Sequence, residues 1–346
     1  ELRAGRARSC RRGSGRGVSV PPGGSTPADN PPPGDQPAPS AAWLEGSSGA
    51  RSDVPVLSRV AHDRAHLART RPDPADGRPV RLLTVDGNRT VPVQDGADGP
   101  RLIWDERPEL PAGAVYLGEA DGVPYAAVRG ERALTVSGRP VDMWSGLRDI
   151  GADLGDLDAG LLAQAIGILE WHERNRFSPL TGQPTTIERA GWVQRDPETG
   201  TEHFPRTDPA VIMLVHDGAD RVVLGRQAVW PPGRFSILAG FVEPGESAES
   251  AVAREVAEEV GLRVTDIRYV SSQPWPFPQS LMLGFVARAE AGPDGGFPLA
   301  VDEDEIEEAR WFTRDELRAG AGPRALPPPV SIARFILDRW VAGEFS

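Results

Sequence analysis

The feature that most constrains this chain is a cluster of three carboxylates on one face of a short helix. Residues 240–262 open with Gly240 and Gly245 in a turn-rich lead-in, followed by Ser247 as a helix N-cap. The helix runs to about Val260, with Glu249 in its first turn and Gly261 as its stop. Glu255 and Glu259 stand at i and i+4 and Glu258 at i+3, so all three side chains project from one face. Like charges at this spacing cost a helix roughly a few tenths of a kcal/mol each, so stability does not select them. A hard divalent cation resolves the repulsion. With oxygen donors and no paired cysteine or histidine, Mg²⁺ or Mn²⁺ fits better than zinc. The glycines permit a tight loop with backbone close to a ligand.

Composition removes other chemistries. All 38 basic residues are Arg, so no Schiff-base lysine and no lysine-bearing phosphate loop exists. One cysteine, Cys10, rules out a disulfide framework and an all-cysteine zinc site, and the expected compartment is the cytoplasm. No apolar run approaches the length that spans a bilayer, so no membrane partner is expected. Half of residues 1–40 are Gly, Pro or Ser, with six Arg against three acids. Residues 1–45 therefore read as a disordered tail, or as an over-long start, since the chain opens on Glu1. Arg11-Arg12 lacks the apolar stretch of a twin-arginine signal. The tail is basic and the chain carries −12 overall, so the body is strongly acidic and disfavours bulk nucleic-acid affinity.

Residues 46–170 are β-rich. Val80–Val85, Ala114–Leu117, Tyr125–Val128 and Ala133–Val136 read as short strands with a turn at Asp121-Gly122, and a helix fits Asp158 to Glu173. Residues 171–206 form a polar connector. From 207 to 346, strands are expected at Ala210–Val215, Arg221–Gly225, Ser236–Val242, Val264–Val270, Leu281–Ala289 and Ala309–Phe312, with a last helix over Val330–Val341. Strands alternating with two helices indicate an α/β sandwich.

Eleven residues past the helix lies Ser272-Gln273-Pro274-Trp275-Pro276-Phe277-Pro278-Gln279-Ser280. Alternate prolines fix φ and remove N–H donors, which excludes an interior strand. The expectation is a stiff extended loop offering Trp275 and Phe277 with nearby amides to a flat heteroaromatic ring.

The stretch 240–262 satisfies the pattern G-x5-E-x7-R-E-U-x-E-E-x-G-U (U aliphatic) at Gly240, Glu246, Arg254, Glu255, Val256, Glu258, Glu259, Gly261 and Leu262. It resembles the Nudix hydrolases. Together with S-Q-P-W-P-F-P-x-S it resembles their NADH pyrophosphatase (NudC-type) subfamily, as do His203-Phe-Pro-Arg206, Asp208–Ile212, Pro327–Pro329 and Ser331–Arg334. The resemblance implies an α/β (α+β) chain: a C-terminal Nudix α/β/α sandwich with mixed sheet, preceded by a β-rich degenerate Nudix-like N-terminal domain. It implies Glu255, Glu258, Glu259 and Glu308 as metal ligands, with Glu258 also a candidate water-orienting base and Arg254 orienting the carboxylates. Substrate contacts carried over are Arg148, Phe204, Ala239, Phe241, Gln273, Pro274, Trp275, Pro276, Phe277, Pro278, Gln279, Ser280 and Ala333.

One departure stands out. The subfamily's four-cysteine zinc ribbon reads here Phe177-Ser178-Pro-Leu-Thr181-Gly182, with its second pair at Asp196 and Thr199. All four thiolates are gone, so the connector is expected to be zinc-ribbon-like but metal-free, held by packing through Trp171, Phe177 and Trp192. His172 and His203 flank it as structural residues. The implied activity is metal-dependent hydrolysis of NADH, and of NAD⁺, to NMN(H) and AMP by a homodimer. Decapping of NAD-capped RNA, broader hydrolysis of ADP-ribose or dinucleoside polyphosphates, and a non-catalytic NAD(H) sensor are the alternatives.

Overall fold

Short alternating segments build the N-terminal region of the computed structural model, which describes residues 53–97, 99–319 and 326–345. The tail expected over residues 1–45 lies outside the described residues. The strands are β1 (Val80–Val85), β2 (Thr90–Gly96), β3 (Gly99–Leu102), β4 (Asp105–Arg107), β5 (Val115–Ala120), β6 (Val123–Arg129), the small ribbon β7 (Thr135–Val136) and β8 (Arg139–Pro140), and β9 (Met143–Gly146). They pair as one sheet of order β4-β1-β6-β5 and another of order β3-β2-β9. Asp121 and Gly122 both take positive φ, as the expected tight turn requires. Helix α1 (Leu147–Ile150) precedes the long α2 (Asp156–Arg174). Leu161, Leu162 and Ile166 of α2 bury against Leu83, Val115 and Leu117 of the sheet. Of the strand expected over Ala133–Val136 only Thr135–Val136 forms, in a two-residue ribbon, and Leu134 is exposed.

The connector carries β10 (Thr186–Glu188), β11 (Val193–Arg195) and β12 (Glu202–His203). Packing does not explain it alone: Trp171 is buried, yet Phe177 is exposed, and Trp192 lies under the Arg69 guanidinium. A hydrogen-bonded knot forms instead at the four positions where thiolates are missing. The Asp196 carboxylate accepts from the Thr181 hydroxyl at 2.7 Å and from the backbone N–H groups of Glu198 and Thr199 at 2.8 and 3.0 Å. The Ser178 hydroxyl leads the causes that hold the Asp196 carboxyl well below the usual range. A buried carboxylate with this many donors stays ionised and ties two loops together. His172 bonds through Nε2 to the Gly191 carbonyl and is structural.

In the C-terminal part, β13 (Asp208–His216), β14 (Arg221–Arg226), β15 (Leu238–Phe241), β16 (Val264–Trp275), β17 (Ser280–Ala289) and β18 (Glu308–Thr313) form a mixed sheet. Its order is β16-β17-β13-β14-β18, with β15 pairing β13; β13 and β17 run parallel. β13 is buried on both faces. Val211, Met213 and Val215 point to α3 (Ala248–Val260), whereas Ile212 and Leu214 point to α5 (Ile332–Val341). The short α4 (Arg314–Arg318) follows β18 behind a capping box. The two helices thus cover opposite faces of the sheet. Among the described residues, no helix is long and apolar enough to cross a membrane.

The proline segment differs from expectation in one respect. β16 continues to Trp275, pairing Pro274 with Leu281 and Trp275 with Ser280, so most of it is strand rather than loop. The prolines are tolerated because β16 is an edge strand, whose outward N–H sites need no partner.

Because the knot centres on one carboxylate, Asp196→Ala is expected to lower the thermal midpoint by several degrees in calorimetry. An unchanged midpoint would show that packing alone holds the connector.

Candidate active site

The site begins at Gly240 in β15. A Cβ there would lie 1.9 to 2.2 Å from the Glu255 carboxylate, so glycine leaves the space in which that carboxylate lies against the strand. Ser247 caps α3 through its hydroxyl, and Gly261 ends it with φ 71°, both as the sequence indicates. The apolar side of α3 (Ala251, Val252, Val256, Val260) anchors the helix to the sheet and turns Glu255 and Glu259 inward.

Arg254 organises the lead-in loop and the helix together. Its Nε and Nη2 donate to the two Glu246 oxygens at 2.9 Å each, and Nη2 also donates to the Phe241 carbonyl at 2.9 Å. Nη1 donates to Glu255 and Glu258 at 2.8 Å. Its pKa is held above the ordinary value, first by the Glu246 hydrogen bonds. Arg254 therefore fixes Glu255 while leaving Glu259 without a cation.

That omission is the informative feature. Glu259 is 4% exposed, its Oε2 is buried with no hydrogen-bond partner, and its pKa is pushed up to about 8. Burial is the main cause, followed by the charges of Glu255, Glu305 and Glu258. Glu255 is also raised, mainly by burial, against the opposing hydrogen bond from Arg254. Carboxylate oxygens of Glu255, Glu259 and Glu305 all lie within 4.8 Å of one another. An orphaned buried oxygen beside two further carboxylates fits a hard divalent cation with oxygen ligands.

The third clustered carboxylate belongs to Glu305, where the resemblance implied Glu308. Glu308 starts β18 opposite Arg226, is exposed, and is not among the three clustered acids. Glu305 joins the cluster from the turn before it. The sequence held no signal to choose between them, because Asp302 to Glu308 contains six acids and only the turn geometry decides which points inward. Glu258 is exposed and held by Arg254, outside the clustered trio.

The aromatic segment lies at a junction of regions. Trp275 and Phe277 meet edge to face at 4.9 Å, and Arg148 from α1 stacks over Phe277 at 4.2 Å and Trp275 at 5.5 Å. Burial and the nearby charges of Arg89 and Arg234 lower the Arg148 pKa. Gln279 donates to Asp208 at 3.0 Å, fixing the turn to β13. Gln273 is fully buried and donates to the Val330 carbonyl at 3.1 Å, so its amide supports the hairpin from inside. Pro274, Trp275, Pro276, Gln279 and Ser280 line a cavity of about 530 Å³ with Ser58, His62 and Trp192. None of the clustered carboxylates lines it. Pro278 follows a cis peptide bond in the same turn. Ala239 in β15 packs against the apolar cluster that includes Ala333 of α5. Phe241 and Phe204 are exposed, at 59% and 57%.

Comparison with known proteins gives a consistent picture. The NUDIX domain family matches residues 206–330. The chain is 46% identical over 310 residues to a "NAD-capped RNA hydrolase NudC" of Mycobacterium bovis, covering 84% of this chain and 96% of that protein. The same identity and coverage hold for the protein of that name in Mycobacterium tuberculosis. It is 41% identical over 202 residues to "NAD-capped RNA hydrolase NUDT12" of Homo sapiens, covering 54% of this chain and 43% of that protein.

The raised pKa of Glu259 predicts a pH dependence. Its carboxyl keeps a proton up to about 8 when folded but only to the ordinary 4.5 when unfolded. Folding takes up that proton between the two values, so metal-free protein loses stability as pH rises through this window. Thermal melts in EDTA should show this decline, Glu259→Gln should flatten it, and Mg²⁺ or Mn²⁺ should reverse it.

Proposed function

The chain belongs to the Nudix hydrolases of the NudC type, and from that membership we propose that it is a metal-dependent NAD(H) pyrophosphatase. It hydrolyses the central diphosphate of NADH, and of NAD⁺, to NMN(H) and AMP. The observation that carries this reading is the carboxylate cluster, two of its three members buried, with the unpartnered Glu259 oxygen. A non-catalytic NAD(H) sensor has no use for such a costly group.

Glu255, Glu259 and Glu305 hold Mg²⁺ or Mn²⁺ in this reading. A divalent cation bound there neutralises diphosphate charge and makes water a better nucleophile. Arg254 keeps the Glu255 carboxylate aimed inward, and the exposed Glu258 orients the attacking water from the solvent side. Phe241 and Phe204 offer exposed faces for stacking the rings of the dinucleotide. Arg148, with Trp275 and Phe277, forms a cationic aromatic wall suited to a phosphate or a base. Ala239 and Ala333 contribute small surfaces, and the turn Pro276 to Ser280 keeps this wall rigid.

Residues 46–170 are a degenerate Nudix-like domain, 171–206 a zinc-ribbon-like connector without metal, and 207–346 the catalytic domain. The Asp196 knot supports the middle assignment, since it occupies the four ribbon positions. A homodimer fits the exposed Phe177, Leu180 and Ile187 on the connector, and the single cysteine fits the cytoplasm. NAD-capped RNA is a second substrate, supported by the names of the relatives that align over nearly their full length.

Incubation of NADH with the protein and Mg²⁺ or Mn²⁺ should yield AMP and NMNH on chromatography, with EDTA abolishing both products. Glu259→Gln should lower kcat by about two orders of magnitude or more while ligand binding persists. Undiminished turnover in that variant would remove Glu259 from the site.

A further inference from the structure

The turn carrying Glu305 is an unlikely place for an ordered ligand. Residues 302–308 hold six acids around Ile306, and one of them, Glu305, faces two buried carboxylates that repel it. Two anchors oppose this repulsion. At the near end, backbone N–H groups of Ala300 and Asp302 donate to the last carbonyls of α3, Val260 at 2.9 Å and Glu259 at 3.2 Å. The turn then closes on itself, with the Ile306 N–H donating to the Asp302 carbonyl at 2.9 Å.

The far end is held by Arg226, the last residue of β14. Its carbonyl accepts from the Glu307 N–H at 2.9 Å, and its Nη1 forms an ion pair with the Glu307 carboxylate. Its Nη2 donates to the Trp230 carbonyl at 3.1 Å, which sets the guanidinium from the other side. Arg226 is 8% exposed and follows Val222, Val223 and Leu224, each fully buried. A charge at such a position costs desolvation that a closed surface turn does not require. Ile306 is buried beside Gly225, so the two sides of the turn are pinned on the same short piece of strand.

We propose that Arg226 is a positioning residue for the metal site: through Glu307 it clamps the acidic turn so that Glu305 reaches Glu255 and Glu259. The inference rests on reading those three carboxylates as a divalent-cation site. Among the described residues, Arg226 makes its ion pair with Glu307 and its side-chain hydrogen bond to Trp230, not to the three clustered carboxylates, and acts only by fixing where Glu305 stands. Removal of the guanidinium frees Glu307, the like-charged turn relaxes outward, and the cation loses one of three protein oxygens.

Mn²⁺ binding to the full chain, followed by the loss of the free-ion electron paramagnetic resonance signal, tests this without recourse to turnover. Arg226→Ala should raise the Mn²⁺ dissociation constant by about tenfold or more, the scale expected when support around a ligand is removed. Glu305→Gln should weaken binding similarly, and the double variant should add little, since both changes remove one contact. Arg226→Lys should recover part of the affinity. If Arg226→Ala does not fold, Glu307→Gln tests the same clamp from the exposed side and should also weaken Mn²⁺. Unchanged Mn²⁺ affinity in Arg226→Ala or in Glu307→Gln, or full additivity with Glu305→Gln, would overturn the proposal while Glu305→Gln still reports on the metal site. Failure of the unaltered protein to bind Mn²⁺ would overturn the cation site itself, and the proposal with it.

Discussion

The repulsion among Glu255, Glu259 and Glu305 is the constraint on which this structure turns. Three carboxyl groups within 4.8 Å of one another, two of them buried, are held together at a cost in burial and charge that keeps the Glu259 proton bound up to about 8. The energy for this comes from elsewhere in the fold. Val252, Val256 and Val260 bury the opposite side of α3 against the sheet, and each such side chain is worth roughly 1.5–3 kcal/mol. Gly240 removes the one Cβ that would block the approach. Arg254 binds four groups at once and prevents the lead-in loop from opening.

The site is unevenly compensated, and that unevenness has chemical meaning. Arg254 satisfies Glu246, Glu255 and Glu258, yet Glu259 receives no donor on Oε2. A fold selected for stability alone would place an apolar side chain or a donor there. A buried, unpaired carboxylate beside two further acids is the kind of perturbed group that clusters at functional sites.

The N-terminal region enters the same argument through contact rather than chemistry. Arg148 reaches the aromatic hairpin from α1, and the Ser58 hydroxyl donates to the Ser272 carbonyl of β16. The edge strand that carries the prolines is therefore supported from the N-terminal region. In the connector, one ionised carboxylate and its hydroxyl and amide donors bridge the loops that four thiolates would otherwise join. The chemistry differs, but both devices tie short polar loops that cannot form an apolar core of their own.

The sequence by itself determined the helix, its Ser247 cap and its Gly261 stop, and the spacing that brings Glu255 and Glu259 to one side of it. All of these follow from spacing along one element, where geometry is local and periodic. It also excluded an interior strand for the proline segment, although the loop expected there is partly an edge strand. Tertiary structure decided the rest. Glu305 rather than Glu308 joins the cluster because a turn pinned at Arg226 and at the end of α3 sets the direction of one acid among six. Gln273 faces the interior because β16 extends five residues beyond the expected Val264–Val270 to pair with β17. Those outcomes depend on contacts between segments far apart in the chain, and no local pattern encodes them.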